Sequence, residues 1–355
     1  MAWEDGLGLW AEPLAQLYGL GVRLRRVAYD RRWLAVAAPP VNTISVGGLE
    51  AGGSGKTPVT GLLLRALLRA GKHPGLLTRG YGRATRDLVV RRPGTPADPM
   101  QLGDEPAMLV QAGVDVAVAA CARRVIGAAA LAELGCDVLV MDDGFVHRAL
   151  GRHLDIVVLR AERPVGNGRL LPAGSLREPM SSLRRAHVIW LHARSGAVDV
   201  EVPELVRQYG PGALLVRSRA RLGVAVERRG GRVDLASAPL LAAAGIARPR
   251  EFADALRRAG AEVRELVAFP DHHRYDDRDA RDLVQRALRV GARAVVVTPK
   301  DAVKMARFWP DDADLWVVGT DVEILAGGEA IARRLDVEAG QLFAQSQATL
   351  PGGRR

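Results

Sequence analysis

The chain has 355 residues, 48% of them hydrophobic and 25% charged, with a formal net charge of +10. That length fills two cores of ordinary size, and the composition excludes an intrinsically disordered chain in favour of a folded α/β protein. The basic excess points to anionic partners such as phosphates, nucleic acid or anionic lipid, while Cys121 and Cys136, the two cysteines, lie in apolar contexts that read as buried thiols and exclude a disulfide framework or zinc site.

The first ten residues, "MAWEDGLGLW", open acidic and lack the apolar core of a signal peptide. No apolar run approaches the roughly 20 residues of a spanning helix, so a cytosolic protein is expected. Within 1–35, Trp10, Leu14, Leu17, Gly21, Leu24 and Ala28 share one helical face, and Arg23, Arg25, Arg26, Arg31 and Arg32 crowd the later half. This predicts a basic amphipathic helix, either lying in a membrane interface or packed on its own domain. Over 36–212, "VNTISVG", "PGLLTRG", "VDVAVAA", "CDVLVMDDG", "LDIVVLR" and "HVIWLHA" alternate with helical stretches. Short strands that are apolar throughout read as a parallel sheet covered on both faces. The segment 213–235 alternates differently and carries Gly230-Gly231, which predicts a two-stranded β-ribbon linker. "PLLAAAGIA", "VRELVAF", "RAVVVTP" and "DLWVVGT" then predict a smaller α/β domain over 236–335, and 336–355 reads as a flexible tail.

The stretch "ISVGGLEAGGSGKTPVT" is a phosphate loop with one irregularity, since Glu50 stands where G-x-x-x-x-G-K-[ST] has its first glycine. An apolar strand precedes it and a helical run follows, the context the motif requires. Gly52, Gly53, Ser54 and Gly55 turn backbone N–H groups toward phosphate oxygens at a helix N-terminus. Lys56 reaches the β- and γ-phosphates, and the Thr57 hydroxyl can ligate Mg²⁺. In "CDVLVMDDGFVHR" an apolar strand runs into Asp142 and Asp143, at the end where open parallel sheets bind ligands. Asp104 and Glu105 in "QLGDEPAMLV" suit an acidic helix N-terminus, and the histidines of "FPDHHRYDDRD" are by themselves more often a structural pair, or an accidental metal ligand, than a catalytic one.

Together, "ISVGGLEAGGSGKTP", "TRGYGR", "GDEP", "MDDGFVHR", "GNGRLLPAGSLREP", "AGIARPREF", "FPDHHRY" and "TPKDAVK", in that order, closely resemble the tetraacyldisaccharide 4'-kinase family of lipid A biosynthesis. The resemblance spans about 14–335 and implies a P-loop kinase-like domain and a smaller α/β domain joined by a β-ribbon. It implies ATP and Mg²⁺ as cofactors and phosphorylation of the 4'-hydroxyl of an acylated glucosamine disaccharide 1-phosphate, giving lipid IVA. The expected place is the cytoplasmic face of the bacterial inner membrane, whose anionic surface would receive the N-terminal helix. It further implies Asp104 and His272 as a catalytic pair beside Lys56, with Glu105, Asp142, Asp143 and Thr57 around the metal. Arg79, Arg123, Arg148 and Arg177 are candidates for substrate phosphate, as are Arg83 and Arg169, because guanidinium forks match phosphate oxygens. This chain departs from the family pattern at Gly48, Glu50, Ala51, Ser54, Val146 and Pro299.

A GTPase would need an N-K-x-D motif, and none of the lysines at 56, 72, 300 and 304 follows an Asn. A nucleic-acid ATPase would interleave aromatics with clustered cations, whereas aromatics are 5% here and the arginines are dispersed. No nucleic-acid partner and no obligate protein partner is expected.

Overall fold

The computed structural model describes residues 8–194, 204–271 and 273–343. Helix α1 (Glu12–Asp30) precedes β1 (Asn42–Gly47), after which come α2 (Lys56–Arg69), β2 (Pro74–Thr78), β3 (Val89–Arg91), α3 (Pro99–Leu102) and α4 (Asp104–Gln111). Strand β4 (Ala117–Ala120), α5 (Arg124–Glu133), β5 (Val138–Asp142), β6 (Leu154–Arg160), β7 (Val188–Ala193), α6 (Glu204–Tyr209) and β8 (Leu214–Leu222) complete the first run. The smaller unit holds β9 (Val226–Glu227), β10 (Leu240–Ala244), α7 (Pro249–Arg258), β11 (Val263–Ala268), α8 (Asp277–Arg289), β12 (Ala294–Val297), α9 (Pro299–Met305) and β13 (Asp314–Val317). The chain closes with β14 (Thr320–Ala326), α10 (Gly328–Leu335) and α11 (Ala339–Phe343).

The large sheet has nine strands in the order β14-β8-β7-β6-β1-β5-β2-β4-β3. Its inner strands are parallel, and the edge strands β3 and β14 are antiparallel to their neighbours. Strands β2 and β4–β7 are buried along their whole length, which is why their sequences are apolar without alternation. One face is covered by Leu63 and Leu67 of α2, Leu109 of α4 and Ile331 of α10; the other by Phe145, Leu176 and Leu183. Since β1 lies between β5 and β6, successive strands depart from it in both directions, which opens a crevice at its C-terminal end. The smaller sheet, β11-β10-β12-β13-β9, carries its own core around Leu241, Leu283, Val295 and Trp309. There α8 starts at a capping box in which Asp276 accepts from the backbone of Arg278 and Asp279 and the Asp279 carboxylate answers back.

Three boundaries differ from the sequence expectation. The ribbon is not confined to 213–235: β8 pairs with β14 from across the smaller unit, in a register that sets Arg219 opposite Glu323, whose carboxylate accepts at 2.9 Å. The alternation of 214–222 records a strand with Val216 and Ser218 turned inward and arginines turned outward, while Gly230-Gly231 serves only a tight turn that returns to β9. Residues 320–335 belong to the large unit, not the smaller one, because Ile331, Ala332 and Leu335 enter its core. The expected tail begins with a packed element, since Leu342 of α11 is buried in that same core; residues 344–355 lie outside the described ones.

Helix α1 docks through a narrow stripe, Ala11 and Ala15 against Ala173, with the Tyr18 hydroxyl donating to the Arg177 carbonyl at 3.0 Å. Its apolar face points away from the protein. Trp10 is 96% exposed and Leu17 67%, and Leu14 and Leu24 are exposed too. No helix among the described residues is long and apolar enough to cross a membrane.

Candidate active site

Strand β1 delivers the chain into the loop 48–55, and α2 begins at Lys56. Gly55 sits at φ 84, and a Cβ there would collide with the His192 ring, so both conformation and space require glycine. At the strand end a Cβ on Gly47 would meet Phe145 of the "DDGF" segment at 2.5 Å, which keeps the two motifs in contact. The Lys56 ammonium donates to the Gly52 carbonyl at 3.2 Å and lies 3.7 Å from Asp143 Oδ1. Among the described residues the buried Ser54 Oγ meets no hydrogen-bond partner, a donor left over for a ligand of the loop. Glu50 is not an exposed irregularity: it is buried and paired with Arg160 at the end of β6.

The two carboxylates ending β5 differ in state. Asp142 is buried and accepts from Thr60 Oγ1 at 3.2 Å. Burial, with Glu105 and Asp143 adding negative charge and Glu105 sharing a hydrogen bond, pushes its carboxyl up to about 8. Asp143 takes left-handed backbone at φ 49, rare for a residue with a side chain, and is gripped bidentately by Arg177 at 2.6 and 2.7 Å. Burial works to raise it, but the Arg177 fork and Lys56 outweigh this and hold it at about 2. Among the described residues no three or more His, Cys, Asp or Glu side chains form a metal cage. The donor set nevertheless fits Mg²⁺, which keeps one or two carboxylates and takes its other oxygens from phosphate and water. Asp142 and Glu105 crowd together in a way that a cation would relieve, and Thr57 stands in the first turn of α2.

Asp104 starts α4 and meets Lys304 of α9 at 2.7 Å, so the two units touch at the site. His272 lies outside the described residues. Its neighbours are engaged: Asp271 holds Lys300 at 2.7 Å, and His273 Nε2 lies 2.8 Å from Asp279. The candidate arginines separate. Arg177 belongs to the carboxylate end, and Arg79, exposed after β2, is within electrostatic range of Arg124 and His147. Arg123 is exposed ahead of α5. Arg148 instead clasps α1, bonding Asp30 at 2.7 Å and stacking over Tyr29. Arg169 pairs with Glu12, and Arg83 is tied to the carbonyls of Arg86 and Asp87 and to that of Ala120 at the end of β4. A small cavity of about 40 Å³ remains between α1 and the site, lined by Tyr18, Arg25, Arg26, Val146, Arg148 and Arg177.

Several site residues escaped the sequence reading. Arg124, next to Arg123, is the buried one, set near Asp142 and Asp143, and its Nε has no hydrogen-bond partner among the described residues. Arg194, after β7, donates to the Gly53 carbonyl. His192, on β7, props the loop from beneath: Trp190 Nε1 donates to Ser218 Oγ at 2.7 Å, and that hydroxyl lies 2.8 Å from His192 Nδ1. Trp190 can only donate, so Ser218 Oγ accepts from it, and the direction of the Ser218–His192 bond follows the imidazole tautomer. Burial depresses this imidazole to about 4, so it is neutral. Lys304 closes the motif "TPKDAVK", and its spacing alone does not distinguish it from Lys300 as the partner of a distant carboxylate. A larger cavity of about 430 Å³, lined by Asn42, Lys72, Asp137, His153 and Arg334, opens at the N-terminal ends of the strands, away from this chemistry.

The chain is similar to known proteins throughout. A family model described as tetraacyldisaccharide-1-P 4'-kinase matches residues 7–338. A tetraacyldisaccharide 4'-kinase of Anaeromyxobacter sp. (strain Fw109-5) is 41% identical over 90% of this chain and 88% of its own. That of Halorhodospira halophila is 38% identical over 96% of this chain and 98% of its own. Among solved structures, LpxK from Aquifex aeolicus in complex with ATP superposes with a TM-score of 0.73, at 26% identity, covering 92% of this chain and 97% of that one.

Proposed function

The chain belongs to the tetraacyldisaccharide-1-P 4'-kinase family, and on that footing we propose that it transfers the γ-phosphoryl group of ATP to the 4'-hydroxyl of a tetraacylated glucosamine disaccharide 1-phosphate, giving lipid IVA. One observation carries the reading: the phosphate loop Gly52–Thr57 meets Asp143 and the Arg177 of the "GNGRLLPAGSLREP" segment at the C-terminal ends of β1 and β5. In that reading Lys56 clamps the transferring phosphoryl group, and Asp104 accepts the hydroxyl proton with His272 orienting or tuning it. Thr57, Asp142, Asp143 and Glu105 would hold Mg²⁺, which supplies neutralisation of phosphate charge. Arg177, Arg79 and Arg123 are the proposed phosphate contacts, and Arg148 contributes through its hold on α1.

The exposed apolar face of α1, flanked by Arg23, Arg25, Arg31 and Arg32, supports docking on the anionic cytoplasmic face of the inner membrane, where an acylated substrate lies. The test is an assay of purified protein with ATP, Mg²⁺ and the disaccharide 1-phosphate in detergent, read by the mass of the product. Lys56→Ala is expected to lose on the order of 10²-fold or more in kcat. Absence of transfer by the wild type, or a wild-type rate in Lys56→Ala, overturns the assignment.

A further inference from the structure

Glu50 opens the phosphate loop with a negative charge, which by itself would repel a nucleotide triphosphate. The fold answers it. Glu50 is 3% exposed and Arg160 7%, and Oε1 of Glu50 accepts from Arg160 Nη2 at 3.2 Å and from Ser175 Oγ at 2.7 Å. Its other oxygen faces Arg160 Nε at 3.4 Å. The backbone repeats the connection, since Ala51 N donates to the Ser175 carbonyl at 2.7 Å and Arg177 N to the Leu49 carbonyl at 2.6 Å. The segment so tied is the one whose Arg177 grips Asp143.

We infer that Glu50 and Arg160 form a charge-neutral positioning pair: Glu50, held through Ser175, pins the phosphate loop to the 167–178 segment, and Arg160 at the end of β6 keeps a bare carboxylate away from the ATP phosphates. The inference rests on the phosphate-loop reading above and deepens it. A merely structural cross-link would make loss of either partner act alike. A charge-balancing pair makes them act oppositely on ATP, because Arg160→Met leaves a carboxylate and Glu50→Gln leaves a guanidinium.

The experiment measures ATP dissociation constants by displacement of a fluorescent nucleotide from the full chain, without acceptor, together with Tm. Arg160→Met is expected to weaken ATP binding about tenfold and Glu50→Gln to tighten it about threefold, while both lower Tm. The uncharged double variant Glu50→Gln/Arg160→Met is expected to return within about threefold of the wild-type constant. Shifts of the two single variants in the same direction, or constants that stay put while Tm falls, overturn the pair's role. If Arg160→Met does not accumulate, the double variant decides: a constant weakened beyond that range overturns it. Because no acceptor is present, the result stands whether or not the wild type phosphorylates the disaccharide. Failure of the wild type to bind ATP at all would sink the phosphate-loop reading instead.

Discussion

Buried imidazoles make a pH signature at the scale of single residues. Burial holds His192 at about 4, and His147 is pushed to about 4 by burial and then by Arg124 and Arg152. Both values lie below the ordinary histidine range near 6.5. A base depressed in the folded state resists protonation that the unfolded chain accepts. Its contribution is therefore complete above about pH 6.5 and is lost as pH falls toward about 4. For His192 this amounts to roughly 3 kcal/mol across the window. His192→Gln is expected to flatten this acid limb of Tm against pH, measured by thermal unfolding in a buffer series. An unchanged limb would mean that the ring is not buried neutral beneath Gly55. Nothing local to "HVIWLHA" announces that role, because the ring's neighbours, Gly55 and Ser218, come from distant parts of the chain.

Among the elements, α1 divides its labour between two faces. The small residues Ala11 and Ala15 allow close docking, and Tyr18 and Arg26 tether the helix to 177 and 181. Its large apolar side chains face away. Periodicity located that face but could not tell a docked stripe from a free one, since both repeat every three to four residues. The triple variant Leu14→Ser/Leu17→Ser/Leu24→Ser removes mainly exposed apolar area, so stability should change by no more than about 0.5 kcal/mol per site. Flotation with anionic vesicles should fall at least about tenfold, each leucine supplying up to ~1.5–3 kcal/mol on full burial. Undiminished flotation would leave α1 as a packing helix with no part in membrane contact.

Across the whole molecule, catalysis is proposed to need both units together. The chain leaves the large sheet in β8 and returns in β14, so the smaller unit hangs on a paired ribbon, and Lys304 reaches Asp104 across the gap. Asp104→Ala and His272→Ala are each expected to lower kcat by about 10²–10⁴ with little change in ATP affinity. The double variant should be little worse than the poorer single one, as residues acting as a unit are non-additive. Steady-state rates that multiply fully would assign the two residues to separate steps.

By itself the sequence determined the features whose causes are local. Apolar runs without alternation declared the buried strands β1, β2 and β4–β7, and a glycine-rich turn declared the loop 48–55 and the start of α2 at Lys56. The run "VLVMDD" likewise declared a buried strand that ends in a carboxylate pair, Asp142 and Asp143. Only the tertiary structure decided which distant residues meet: Glu50 with Arg160, Asp104 with Lys304, Asp143 with Arg177 and Arg219 with Glu323. The physical reason is that hydropathy and turn chemistry act over a few residues, whereas these partners are chosen by strand order and by the return of β14 to the large sheet. A charge with no visible partner in sequence, such as Glu50, therefore acquires its meaning only once the fold supplies the opposite one.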